Sequence, residues 1–251
     1  MPMQTDQQAP LFGPLYKFMH AKDLPSWCEA QTIVISSAEY YRQAYYEMEV
    51  PDAFINDPRE GQATWKQAGD YIAGMPFSAN EAAFFDQLGG PPRGAAIGVT
   101  QNFRSKPFHM FCLATGDPAA LISAFGAVKA PDGTVSPYDA CVHVLDLPLL
   151  LDRVLNQGVT MVGGQPGPAM RDLFDQVAAD DVVYEKTVRL STEPRPNGHP
   201  FRKDEKFRNQ REVRGVFRPR ARPPERLIVH VPGLRSIIRV VDLGALTDPP
   251  R

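Results

Sequence analysis

The chain lacks most of the features that would identify its class directly. It has three cysteines in 251 residues, Cys28, Cys112 and Cys141. An odd, scattered set in apolar stretches argues against a disulfide framework, and with no CxxC pair there is no zinc signature. Histidine is as sparse: His20, His109, His143, His199 and His230 fall on separate segments with no HxH or HxxxH pair, so no metal is expected. No GxGxxG, P-loop or GxSxG motif occurs, and the Gly-Gly doublets at 89–90 and 163–164 run into proline-containing turns rather than phosphate cradles. No apolar run approaches the roughly 18–20 residues that span a bilayer. The opening MPMQTDQQAP has neither the basic start nor the apolar centre of a signal peptide. These absences predict a soluble cytoplasmic protein without membrane contact.

Proline and glycine, by contrast, are plentiful, at 25 and 19 residues. That abundance implies many turns and a loop-rich α+β fold in one domain, with residues 1–13 as a flexible N-terminus. The net charge of −2 conceals an asymmetry: residues 186–226 hold 13 of the 27 Lys/Arg but only 5 of the 29 Asp/Glu. A basic block on an acidic body suits a polyanion, either nucleic acid or nucleotide phosphates, and equally a solvated loop. Within it, Lys203, Lys206 and Arg208 are the candidate nucleic-acid contacts.

Periodicity predicts strands at 14–20, 32–36, 95–103, 108–115, 140–147 and 181–191. The runs at 95–103 and 108–115 are expected to be central. Helices are predicted over 22–31, 37–49, 78–90 and 148–158, from Asp or Ser caps, an N-terminal proline and C-terminal glycines. Residues 191–207 read as a long basic loop. Three short apolar runs, REVRGVF, RLIVHVP and SIIRVVDL, are expected to pair as an antiparallel group.

The one constellation that suggests chemistry is Gln210 and Glu212 in FRNQREVRGVF. On a strand, residues two apart face the same way, so an amide and a carboxylate would meet one cleft. That pair suits glycosyl transfer through an oxocarbenium-like centre, with Glu212 on a ribose hydroxyl and Gln210 orienting the acceptor. The spacing is also met by chance, and Glu212 pairing with Arg211, Arg214 or a lysine is the alternative.

The segment LYKFMHAKDLPSWCEAQTIVIS, residues 15–36, resembles the first strand–helix–strand of DarT-like ADP-ribosyltransferases. Lys17 stands where an arginine is common, His20 matches the histidine, and Asp23-Leu24 stand in for an Asn-Leu pair. The rest is similar to a broad group of uncharacterised bacterial and phage proteins, some linked to abortive infection. Tyr41-Arg42, Asp57 with Glu60-Gly61, Phe111-Cys112, and Phe201-Arg202-Lys203 leading to Phe207, Gln210, Glu212 and Arg214 carry that likeness. The resemblance implies an ADP-ribosyltransferase-like split, mostly antiparallel β core with flanking helices and NAD bound as substrate. It implies Glu212 and Gln210 as catalytic residues, and Tyr16, Lys17, His20, Ser36, Ser37 and Arg42 as cofactor-binding ones. Asp57 and Glu60 would hold the Arg42 or Lys17 side chains, or equally form a solvated turn. The function implied is ADP-ribosylation of a macromolecule, nucleic acid or protein, in a toxin or phage-defence role that leaves room for an antitoxin partner. A non-catalytic nucleic-acid- or protein-binding module on the same fold is the alternative.

Overall fold

The run His109–Thr115, HMFCLAT, is largely buried and lies at the middle of a ten-stranded sheet. A computed structural model describes this run together with residues 12–47, 60–71, 75–125, 128–129, 135–136, 138–196 and 198–243. In chain order the elements are β1 (Leu15–Met19), α1 (Leu24–Cys28), β2 (Thr32–Ser37), α2 (Ala38–Glu47), β3 (Gln62–Lys66), α3 (Ala79–Asp86), β4 (Thr100–Arg104), β5 (His109–Thr115) and α4 (Pro118–Phe125). A two-residue hairpin, β6 (Val128–Lys129) and β7 (Val135–Ser136), precedes β8 (Ala140–Val144), α5 (Leu147–Gln157), β9 (Val159–Val162) and β10 (Gln165–Ala169). The single turn α6 (Met170–Leu173) leads into β11 (Phe174–Asp181), then β12 (Val183–Glu185), β13 (Val188–Leu190) and β14 (Arg202–Asp204). The last strands are β15 (Glu212–Pro219), β16 (Arg226–His230) and β17 (Ile238–Val241). The fold is mixed α/β with a mostly antiparallel sheet; among the described residues, only β12 with β14 and β3 with β13 pair in parallel.

A strand has two edges, and β5 uses its edges differently. One pairs with β15 from His109 to Ala114. The other is shared: β2 takes His109 and Met110, and β1 takes Ala114 and Thr115. The sheet therefore splits over Phe111–Leu113. There the Lys17 ammonium donates to the Cys112 carbonyl at 3.0 Å and lies 5.6 Å from the Phe111 ring centre.

Alternation along the strands gives the sheet two different faces. Leu15, Phe111, Leu113, Val142, Val144, Val213 and Phe217 turn to one side, where α5 and Trp27 of α1 close an apolar core. Helix α5 starts on Asp146, whose carboxylate accepts from Leu149 N at 2.8 Å, and buries Leu147, Leu150, Leu151 and Val154. Each such side chain contributes about 1.5–3 kcal/mol on full burial. The opposite side carries Tyr16, Phe18, Cys112, Ala114, Glu212 and Arg214, and it is the face that holds polar groups. A satellite sheet, β13-β3-β4, packs with α3 around Trp65, Tyr71, Phe84 and Phe85. It ends on the turn at Glu60 and Gly61, beside that polar face.

Several expectations need correction. Residues 100–104 form a strand of the satellite sheet, not a central one. The stretch 181–191 breaks into β12 and β13, which join different sheets. Residues 191–207 are not all loop, because β14 and a 3-10 helix, Glu205–Gln210, begin inside them. The three late strands do not pair with each other: β15 lies between β5 and β11, β16 between β2 and β9, and β17 on β8. Pro51, Asp57, residues 1–11 and the side chains of Tyr45 and Tyr46 lie outside what is described.

Gly61 has φ +66°, and a Cβ there would sit 2.6 Å from Ser105 Oγ and 2.7 Å from Phe108 Cε1. A left-handed alanine alone costs about 1–2 kcal/mol, and the contact with the Phe108 ring adds to it. Gly61→Ala is expected to lower the denaturant midpoint and displace Glu60; an unchanged midpoint would show that the turn is not fixed by glycine.

Candidate functional site

The split in the sheet opens into a cavity of about 230 Å³. Tyr16 and Lys17 reach it from β1, Tyr41 from α2, Glu60 from the turn, Met110 and Cys112 from β5, and Lys203, Gln210 and Glu212 from the late segment. Two of its walls are in register: Tyr16 and Glu212 both lie opposite Ala114, one from each edge of β5. Their side chains therefore project to the same side of the sheet.

Glu212 is the first residue of β15, but Gln210 is not on that strand. It ends the 3-10 helix Glu205–Gln210, and Arg211 between them adopts a left-handed conformation with φ +43°. The two side chains still meet, through Lys203. Its ammonium donates to Gln210 Oε1 at 2.8 Å and to Glu212 Oε2 at 3.0 Å. The shared face expected from strand geometry thus exists for a different reason: a lysine on β14 draws both together, while Arg211 turns outward and is exposed.

Arg214 holds the other carboxylate oxygen. Its Nε donates to Glu212 Oε1 at 2.5 Å, and one terminal nitrogen donates to Glu60 Oε1 and to the Pro200 carbonyl, each at 2.5 Å. The side chain is fully buried, and its second terminal nitrogen has no partner among the described residues. Burial pushes the Glu212 carboxyl up, but the charges of Arg214 and Lys203 outweigh that, so it is held far below the usual carboxylate range. The same exchange works in reverse for Lys203: burial disfavours its charge, and Glu212 and Glu60 more than restore it. The result is a buried quartet of basic and acidic side chains, Lys203, Arg214, Glu60 and Glu212.

Tyr184 and Cys112 complete the setting, the first with no local signal that marks it as a site residue. The Glu212 amide donates to Tyr184 Oη at 2.7 Å, which fixes the start of β15. Burial, with the Glu212 charge second, raises the pKa of that phenol. The Cys112 thiol bonds the Glu212 side chain, and burial together with the same charge raises it well above the ordinary thiol range. It is a neutral hydrogen-bonding group, as its apolar context suggested, and not a nucleophile.

Of the proposed cofactor residues, Tyr16 and Lys17 line the cavity and four do not. His20 stands 5.2 Å from Tyr138, itself a wall of the cavity. Ser36 bonds the Tyr41 hydroxyl. Ser37 caps α2, accepting from Tyr40 N at 3.0 Å. Arg42 points to the far side of α2, pairs with Glu39 at 2.5 Å and donates to the Glu60 carbonyl. Glu60 does hold Arg42, through its backbone carbonyl, while its carboxylate accepts from Arg214.

The basic block does not form one surface either. Lys203 and Arg214 are buried, Arg189 and Arg202 share Glu185, and Arg218 pairs with Asp175. Lys203 at 4% exposure is unsuited to contact a nucleic-acid backbone, whereas Lys206 and Arg208 remain exposed. No group of three metal-ligating side chains occurs among the described residues, and no helix there is long and apolar enough to cross a membrane. In comparisons with family models, curated proteins and solved structures, none matches the chain.

Proposed function

We propose that the protein is an NAD-dependent ADP-ribosyltransferase built on a split, mostly antiparallel ADP-ribosyltransferase-like core. The observation that carries this reading is the alignment of Tyr16 and Glu212 across the split of the sheet, with Gln210 beside Glu212. The cavity is smaller than the about 300–1,000 Å³ of a drug-sized ligand pocket. At about 230 Å³ it fits one end of a dinucleotide, the ring and its ribose, with the phosphates outside. An aromatic wall at Tyr16, Tyr41 and Tyr138 and an ionised carboxylate suit that end.

In the reaction, the bond between the nicotinamide nitrogen and the ribose breaks and its electron pair leaves with nicotinamide. The acceptor nucleophile then bonds the same carbon and loses its proton. Positive charge grows on the ribose as the bond breaks. A carboxylate kept ionised by Arg214 stabilises that charge from a fixed position in a low-dielectric site. Gln210, held by Lys203, is placed to orient the acceptor.

A second reading, a non-catalytic binding module, is favoured by a different observation: both oxygens of Glu212 already have cationic partners. Buried ion pairs of this kind often serve conformational specificity alone. Incubation of the protein with NAD labelled in the adenylate, together with nucleic acid or cell lysate, separates the two. Transfer is expected to label an acceptor and to release nicotinamide. No label in any fraction, with no NAD-induced rise in melting temperature, would leave the binding module as the function.

A further inference from the structure

Glu212 has a cation on each carboxylate oxygen, and the two cations stand in different places. Arg214, on Oε1, is fully buried and does not line the cavity; its guanidinium is tied to Glu60 and to the Pro200 carbonyl as well. Lys203, on Oε2, is a wall of the cavity. A ligand that enters the cavity therefore finds Lys203 already seated on the oxygen that Arg214 leaves. Two cations in contact with one carboxylate also leave it no net negative charge to turn toward a growing ribose cation.

The backbone at Lys203 is held, and its side chain is the part free to turn. Strand β14 pairs with β12, with Lys203 opposite Tyr184, and the Thr187 hydroxyl donates to the Asp204 carboxylate at 2.7 Å. The lysine itself is an ammonium on a flexible stem, whereas Arg214 is a planar fork bonded on two sides. Giving up Oε2 does not strand the lysine charge. Besides Glu212, the ammonium has Gln210 Oε1 at 2.8 Å, the Phe207 ring centre at 4.8 Å and the favourable field of Glu60.

We propose that Lys203 is an internal latch on the site: its ammonium caps Glu212 Oε2 in the resting protein and yields that oxygen to a hydroxyl of the nicotinamide-side ribose. On the transferase reading, which this latch presupposes, the substrate opens its own site. Lys203 withdraws toward Gln210 and Phe207, and Glu212, still held by Arg214, regains a charge to set against the ribose. A site that is mostly closed binds in proportion to its open fraction, so an open fraction of about one tenth weakens NAD about tenfold. The latch thereby sets the NAD concentration below which the carboxylate stays capped.

The test is the Kd of carbocyclic NAD, which keeps the ribose hydroxyls and is not cleaved, measured by isothermal titration calorimetry. Lys203→Met keeps the stem without the ammonium and is expected to bind about tenfold tighter than wild type. Lys203→Arg keeps a cation there and should stay near wild type. Lys17→Met removes the same charge from another wall, where the lysine donates to the Cys112 carbonyl, and should bind no tighter. Gln210→Glu keeps the lysine and draws its ammonium off Glu212, so binding should tighten again; it carries the test where melting curves show that Lys203→Met does not fold. Binding that is unchanged or weaker in the folded variant overturns the latch. So does equal tightening in Lys17→Met, which would make net charge the cause. No binding to any of these proteins overturns the latch and the transferase reading together. Tighter binding with no nicotinamide released from NAD supports the latch and counts against the chemistry alone.

Discussion

In a Glu212→Gln variant, the rate of nicotinamide release from NAD is expected to fall by about 10²–10³-fold, the usual cost of removing one preorganised electrostatic partner of a transition state. Glutamine keeps the shape and one acceptor for Arg214 or Lys203, but it carries no charge to oppose the developing cation. NAD binding should change little, so the loss should appear in kcat and not in KM. The confounding effect is stability, because Glu212 belongs to a buried quartet and its loss leaves a cation in excess. Glu60→Gln provides the control. It removes the same charge from the same network through Arg214, without disturbing the carboxylate in register with Tyr16. Glu60→Gln should lose comparable stability and keep its rate within about tenfold of wild type. Equal rate losses in the two variants would make the quartet structural, and an undiminished rate in Glu212→Gln would remove the carboxylate from the chemistry.

The largest stability effect should come from Arg214→Met. Arg214 is fully buried and is the cation between two carboxylates, each held at 2.5 Å. Breaking a buried pair by removing one partner costs about 3–5 kcal/mol, a large part of a domain's net stability. The pH dependence gives the sign. In wild type, Glu212 is held below its ordinary value, so its contribution is complete at neutral pH and is lost in acid, as pH falls through the folded-state value. Without Arg214, the two buried carboxylates Glu212 and Glu60 are left with the single Lys203 ammonium, and a carboxyl that wild type keeps charged gains from taking up a proton. The deficit of the variant is therefore expected to be largest at pH 7–8 and to shrink toward pH 5, as read from urea midpoints. A deficit that does not vary with pH would mean that the lost packing of the guanidinium, and not its charge, sets the cost.

The sheet's main strands were legible because their burial is written locally. TIVIS, HMFCLAT and ACVHV are dense in apolar and β-branched residues, and LPLLLDRVLNQ has a proline at its start and a glycine just past its end. β11 was not legible: FDQVAADD has little β propensity and is a strand because it pairs with β15 from Phe174 to Asp181, with one irregularity at Asp175. Nor could the partners of β15, β16 and β17 be read, since pairing depends on which edges the rest of the sheet leaves open. At the site, Gln210 and Glu212 were found through a spacing argument that the structure replaces. A left-handed Arg211 and a buried Lys203 bring them together, and neither the backbone turn nor the burial of a lysine within a basic run has a local signal. The even look of that run also hid its division into ion pairs, buried cations and exposed side chains.

A crystal structure with a non-hydrolysable NAD analogue tests the central claim most directly. The account predicts the nicotinamide-side ribose in the split of the sheet, between Tyr16 and Glu212, with a ribose hydroxyl within hydrogen-bonding distance of the Glu212 carboxylate. An analogue bound only outside the split of the sheet, or a ribose turned away from Glu212 while the Lys203 and Arg214 contacts stay closed, would contradict it.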